Sequence, residues 1–322
     1  VPVYEDPVER LNLLLDQQEV RIATIFRTAI DGLKNEIDLN DLANLIEQGR
    51  LNEAIDRLQF AAEQLGSASN VAFITSGQST ATFLNAAGVG RVVFNEVSTF
   101  AVEAMQRNRL ELIREFADEQ RRVASTAMIT GVEGGANPRA QARNFRDSVG
   151  LTENQWKHVA SYRAVLERVG SGEGAQMDAL NRALRDGRGD AQIKRAIRDS
   201  KPLKPEKVDW LVERYSARYV KHRAEVIGRT EALRAVNQGN EESYRQAIAS
   251  GTIAEDAIER QWRTRLDGRQ RDTHALLNGT KRRWGEAWET RHGLIKYPGD
   301  PDAAASEVIQ CRCALLTRIR QR

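Results

Sequence analysis

Two cysteines in 322 residues leave no disulfide framework, and the single residue between Cys311 and Cys313 excludes an unstrained bridge between them. That usage fits a reducing compartment. Proline is scarce, at 7 residues, and aromatics make up only 6%, which argues against an all-β chain of short aromatic strands and tight turns. No run of apolar residues approaches the roughly 18 needed to span a bilayer, so no membrane helix is expected. The first residues, with Glu5, Asp6, Glu9 and Arg10, lack the basic-then-apolar order of a secretory signal. Without a fixed-period repeat, solenoids and propellers are not expected either.

What is present is a globular composition: 41% hydrophobic and 29% charged residues, with a net charge of only +3. The charge is unevenly spread. Residues 1–100 carry −7, residues 101–200 +3 and residues 201–322 +7, so an acidic front suits a protein partner and a basic back suits an anionic one. Apolar residues recur at spacings of three and four over long stretches, the signature of helices. The expected fold is mainly α, with long amphipathic helices and a compact, loop-richer α+β terminal module. The length predicts two domains: a helical, acidic region over 1–130, a linker over 131–150, and a second domain over 151–322 whose basic terminal module begins near 252.

The series Val8, Leu11, Leu14, Leu15, Ile22, Ile25, Phe26, Ile30 and Leu33 predicts one helix from Pro7. A helical hairpin is expected over 39–49 and 51–65, with stops at Gly49 and Gly66, then a Ser/Gly-rich loop over 66–79, and helices over 80–87 and 97–127. Thr152 and Gln155 read as a capping box ahead of a buried stripe of Trp156, Val159, Tyr162, Val165 and Leu166. Gly170 to Gly174 breaks the pattern. A helical stretch over 175–199 and a long helix from Pro205 to Asn237, ending at Gly239, follow.

The chemistry concentrates in the terminal module. Cys311, Cys313, His274 and His292 are candidate zinc ligands, since thiolate and imidazole together are soft tetrahedral donors. The opposing reading puts both cysteines on one face of a short strand, packed beside Val308, Ile309 and Leu315. His274 lies seven residues after Asp267 and three after Arg271, so one helix face could hold them, with the carboxylate orienting the imidazole as a base. No nucleophile elbow, phosphate-binding loop or H-E-x-x-H accompanies them, and no enzyme is expected. Arg263, Arg265, Arg269, Lys281, Arg282 and Arg283 are candidate DNA contacts, interleaved with Trp262, Trp284 and Trp288, which offer stacking surfaces for bases.

Five segments in order, Arg229-Thr-Glu231, Trp262-Arg-Thr-Arg-Leu-Asp267, Arg271-Asp-Thr-His274-Ala-Leu-Leu277-Asn-Gly279, Pro298-Gly-Asp-Pro301 and Val308-Ile-Gln-Cys311-Arg-Cys313, resemble the phage Mu protein F-like domain. The resemblance covers roughly 151–316. It marks Arg229, Glu231, Trp262, Asp267, Gly279 and Pro298 as structural motif positions, and His274, Cys311 and Cys313 as either a structural zinc site or a tight packing knot. Gln310 departs from the small polar residue that often precedes the first cysteine. The resemblance implies a minor capsid, or head morphogenesis, protein of a tailed phage or prophage, assembled in the host cytoplasm and carried in the virion inside the head near the portal. Its implied partners are the portal protein, capsid or scaffold proteins and packaged DNA, with no membrane, and its implied roles are assembly, packaging or ejection. Some relatives continue into a toxin domain; with only Ala314 to Arg322 following here, none is expected. Two alternatives stay open: a metal-dependent nuclease on Asp267, Asp272 and His274, and a zinc-stapled DNA-binding protein.

Overall fold

The computed structural model describes residues 6–50, 53, 59–133, 135–171 and 177–320. The fold is mainly α, with a small α+β terminal module. Helix α1 (Pro7–Glu36) begins where the Asp6 carboxylate accepts the Val8 N–H at 2.8 Å, with Pro7 at its first position. It buries Leu11, Ile22, Phe26, Ile30 and Leu33, the stripe its periodicity predicts. Helix α2 (Leu39–Glu47) is capped by Asp38, which accepts the N–H groups of Asn40 and Asp41.

The expected loop over 66–79 is instead helix. Helix α3 runs unbroken from Gln59 to Ala86. Its buried residues include Leu65, Ala68, Ser69, Ala72, Phe73, Ser76, Thr80, Ala81 and Leu84, which keep helical spacing although Ser69, Ser76 and Thr80 carry hydroxyls. Those hydroxyls are satisfied in the core: Ser76 donates to the Val236 carbonyl at 2.6 Å, and Thr80 reaches Ser76 O and Asn240 Oδ1, each at 2.9 Å. Small polar side chains here serve close helix packing, where turn chemistry would use the same residues. Of the second helix expected over 51–65, residues 51–52 and 54–58 lie outside the described residues, and 59–65 is helical.

Helix α4 (Thr99–Glu133) and helix α5 (Pro138–Ser148), capped by Asn137, precede helix α6 (Glu153–Glu167). The capping box of α6 is complete: Thr152 N–H donates to Gln155 Oε1 at 3.0 Å and Gln155 N–H to Thr152 Oγ1 at 3.3 Å. All five predicted stripe residues are buried. Replacing Thr152 with Ala is expected to cost about 1 kcal/mol, in line with lost N-caps, and thermal melting of the variant checks it.

The helical stretch expected over 175–199 is broken, and its first residues, with the end of the glycine break, lie outside the described ones. It contains short helix α7 (Asp178–Asn181), a 3-10 turn (Gly187–Gly189) and helix α8 (Asp190–Arg198). The interruption centres on Asp186, whose buried carboxylate gathers Arg188, Arg214 and Arg218. Helix α9 (Pro205–Ala249) then passes straight through Gly239, where a stop was expected. The reason is contact: a Cβ at Gly239 would sit 2.1 Å from the carbonyl oxygen of Phe73 in α3. Gly239 is there to let two helix backbones approach.

After a 3-10 turn (Glu255–Ala257) come β1 (Ile258–Arg263), short helix α10 (Asp272–Leu277), β2 (Lys281–Arg283), β3 (Trp288–Thr290), β4 (Gly293–Ile295), short helix α11 (Ala305–Val308) and β5 (Ala314–Ile319). The sheet order is β2-β1-β5, antiparallel throughout, and β3-β4 form a separate hairpin. Two compact units alternate along the chain. One comprises 1–26, 63–112 and 224–322; the other comprises 27–62 and 113–223.

In the second unit, the Gln120 side chain accepts the Gly150 N–H at 2.8 Å and donates to the Leu151 carbonyl at 3.0 Å, holding the α5–α6 connection. In the first unit, the terminal module closes on α9 through a core of Leu233, Trp262, Leu277, Trp288, Ile295, Cys311, Cys313 and Leu315. The Pro298–Asp300 turn presses on the same helix. Gly299 adopts φ +84°, and a Cβ there would stand 3.0 Å from the Arg234 backbone.

Candidate functional site

His274 lies in α10 and is 1% exposed. Cys311 and Cys313 sit in the turn between α11 and β5, not on the strand as one sequence reading had it, and both are buried. Gln310 makes that turn in the left-handed region, at φ 57°, and its N–H donates to Thr230 Oγ1 of α9 at 3.1 Å. The Cys313 N–H then points at Cys311 Sγ, 3.4 Å away. The outcome is a closed cluster in which both sulfurs stand 3.4 Å from His274 Nδ1. All three donor atoms lie within 4.8 Å of one another.

The other side of the imidazole faces a carboxylate. Glu307 of α11, 1% exposed, places Oε2 at 2.9 Å from His274 Nε2, somewhat off the hydrogen-bond line, and accepts the Thr273 hydroxyl on the same oxygen at 3.0 Å. A carboxylate there favours the proton on Nε2 and leaves the Nδ1 lone pair facing the sulfurs. Thr264 bonds the His274 carbonyl at 2.6 Å, and Trp262 stacks edge-on against the ring at 5.3 Å. Electrostatically the two sulfurs differ. The Cys313 thiol is pushed down to about 5, first by its hydrogen bond with Cys311 and then by His274, while the Cys313 sulfur and burial push Cys311 up.

The remaining sequence candidates fall elsewhere. His292 is exposed in the β3–β4 turn, where its Nε2 accepts from Arg291 at 2.9 Å, and it does not join the cluster. Asp267 is an exposed loop residue paired with Arg312 at 2.8 Å, so the carboxylate beside His274 is Glu307, not Asp267. Asp272 is exposed at the start of α10. The geometry therefore does not assemble the Asp267, Asp272 and His274 set that a metal-dependent nuclease would need.

The basic cluster divides by strand alternation. Trp262 and Trp288 are fully buried and pack edge to face with ring centroids 5.3 Å apart, so neither offers a face to a base. Arg260, also buried, donates to Glu241 at 3.1 Å and to the Glu286 carbonyl at 2.6 Å. Arg282 is turned to the Trp262 side and bonds the Ala287 and Lys281 carbonyls. Arg263, Lys281 and Arg283 are exposed on the opposite side of β2-β1-β5, where Arg318 joins them by pairing with Glu259 across the strands. Glu259 takes Lys281 at 2.8 Å and Arg320. Arg265 and Arg269 are exposed in the β1–α10 loop, with Arg265 3.9 Å from Asp267.

The motif positions act structurally. Arg229 holds Glu19 of α1 with two bonds of 3.1 and 2.5 Å, and Glu231 is buried one turn from Arg234 at 3.5 Å. Gly279 donates its N–H to the Trp262 carbonyl at 2.8 Å, and Pro298 is buried in the turn against α9. Residues 176–316 match the family model for Phage Mu protein F like protein. Over that stretch the chain is similar to this family. The match takes in the whole cluster and four of the five strands, with β5 included in part. No curated protein and no solved structure matches the chain. Among the described residues, no helix is long and apolar enough to cross a membrane.

Sequence reasoning did not single out Glu307, Thr264 or Arg318. Glu307 stands four residues before Cys311, but nothing in that spacing marks it as the partner of a histidine 33 positions away. Only the strand register could have identified Arg318, by placing it opposite Glu259.

Proposed function

We propose that the protein is a minor head component that associates with the portal inside the capsid, acts in assembly, packaging or ejection of DNA, and works by binding, not by catalysis. The observation that carries this reading is the Mu F-like match over 176–316. Two features support the division of labour. The first 100 residues carry a net −7, suited to a protein partner, and the exposed side of β2-β1-β5 carries Arg263, Lys281, Arg283 and Arg318 around one carboxylate. A row of cations on a sheet face is suited to the phosphate backbone without base readout.

Quantitative mass spectrometry of DNA-filled particles, portal-containing proheads and emptied particles tests the role. A few copies per portal, fewer after DNA release, is the expected result; absence from every fraction would remove the proposal. The DNA face has its own measurement. Duplex binding should weaken as salt rises, with a slope near −0.9 per phosphate neutralised. Arg283→Glu with Arg318→Glu should lower affinity about tenfold or more and flatten that slope, whereas Arg282→Glu should act mainly on folding. An unchanged salt slope in the double variant would move DNA contact to another surface.

A further inference from the structure

We propose that His274 Nδ1, Cys311 Sγ and Cys313 Sγ bind a single zinc ion, with Glu307 fixing the imidazole through Nε2. The inference stands on this cluster alone and does not depend on the head-protein reading. Its first support is metric. Zinc bonds of about 2.3 Å to sulfur and 2.05 Å to nitrogen at the tetrahedral angle put the donors about 3.6 Å apart, and both sulfurs here stand 3.4 Å from Nδ1. The donors already hold two edges of a tetrahedron.

The second support is a count of hydrogens. Two buried sulfurs converge at equal distance on one Nδ1 lone pair, which accepts a single S–H and leaves the Cys313 thiol only the Thr264 oxygen, 3.7 Å away. A cation at the centre satisfies all three donors together. The third is the outer arrangement: a carboxylate oxygen 2.9 Å from Nε2 and a backbone N–H to Cys311 Sγ, the kind of neighbours that orient metal ligands. Two sulfurs and one imidazole nitrogen favour zinc over the hard, oxygen-seeking cations. Three protein donors gather among the described residues. The fourth position falls to a small exogenous ligand such as water; a 290 Å³ cavity lined by Arg265, Arg312 and Asp16 borders Cys311.

The ion would join α10 to the turn that leads into β5, segments 37 and 39 residues apart along the chain. The test uses the untagged full-length chain produced without added metal. Elemental analysis is expected to give close to one zinc per chain, and Cys311→Ser and Cys313→Ser to bring it near zero. Glu307→Gln should retain the metal but lose it to a chromophoric chelator at about 10–100-fold lower chelator strength, the usual penalty for an outer-shell partner. Because a cysteine variant that fails to fold would also lose zinc, the stripped wild-type chain is titrated with cobalt(II). Intense thiolate-to-cobalt absorption saturating at one equivalent supports the site. A chain that is metal-free, natively folded by circular dichroism, unmoved in melting temperature by zinc and silent with cobalt overturns it.

Discussion

Arg260→Met is expected to destabilise the first unit by about 3–5 kcal/mol, the range for removing one partner of a buried ion pair. The guanidinium is 1% exposed and lies between the rings of Trp284 and Trp288, at 5.3 and 5.5 Å. Its bonds to Glu241 and to the Lys296, Arg283 and Glu286 carbonyls join α9, β2, the β2–β3 turn and the segment after β4. Methionine fills the length but leaves those acceptors in a dry site. The loss depends on pH. Burial already pushes the Glu241 carboxyl up to about 7 against the attraction of Arg260, and without that cation it rises further. A carboxyl whose folded pKa lies above its unfolded value favours the native state while protonated, and that contribution disappears as pH rises through the folded pKa. The deficit of Arg260→Met should therefore be smaller at pH 5 than at pH 8. Denaturant unfolding followed by tryptophan fluorescence at both values measures it, and a deficit under 1 kcal/mol at pH 8 would mean that the loops do not depend on this residue.

Gly239→Ala is the second large effect. In the middle of an ordinary helix this change gains up to about 1 kcal/mol. Here the added methyl would lie 2.1 Å from Phe73 O, 3.0 Å from Phe73 C and 3.1 Å from Gly77 N, all backbone atoms that cannot rotate away. Helices α3 and α9 must separate, breaking the Ser76 bond to Val236 O. A net loss of roughly 2–3 kcal/mol is expected, the cost of overpacking a tight core. Gly32→Ala in α1 is the control, since nothing lies within 4 Å of its Cβ position. It should be neutral or slightly stabilising. Equal melting temperatures for the two variants would contradict the close backbone approach.

Both predictions rest on positions that the amino-acid pattern describes poorly. Arg260 sits in a run of basic residues and tryptophans that reads as a nucleic-acid surface, yet β-strand alternation sends Arg260 and Trp262 inward and Glu259 and Arg263 outward. Until the register is known, a charged strand residue has no side. Gly239 and the Ser/Gly stretch of α3 read as helix stops and loop because the same small residues serve turns and close helix contacts equally well. What decides between them is a partner helix 160 residues away at the Ser76–Val236 contact.

The sequence by itself determined the helical class, the start and stripe of α1, the capping box and buried face of α6, and the identity of the soft donors His274, Cys311 and Cys313, because these depend on residue type and on spacing within one or two turns. The motifs that resemble the Mu F-like domain, from Arg229 to Cys313, were also legible, and the match over 176–316 agrees with them. Tertiary structure alone decided that His292 and Asp267 stand apart from the cluster, that Glu307 stands 2.9 Å from the imidazole, and that Arg318 completes the exposed basic row. Each of those is a contact between segments brought together by burial of Trp262, Trp288 and Leu233 in one core, and burial of apolar area is not directional enough for spacing along the chain to encode which polar groups it will bring face to face.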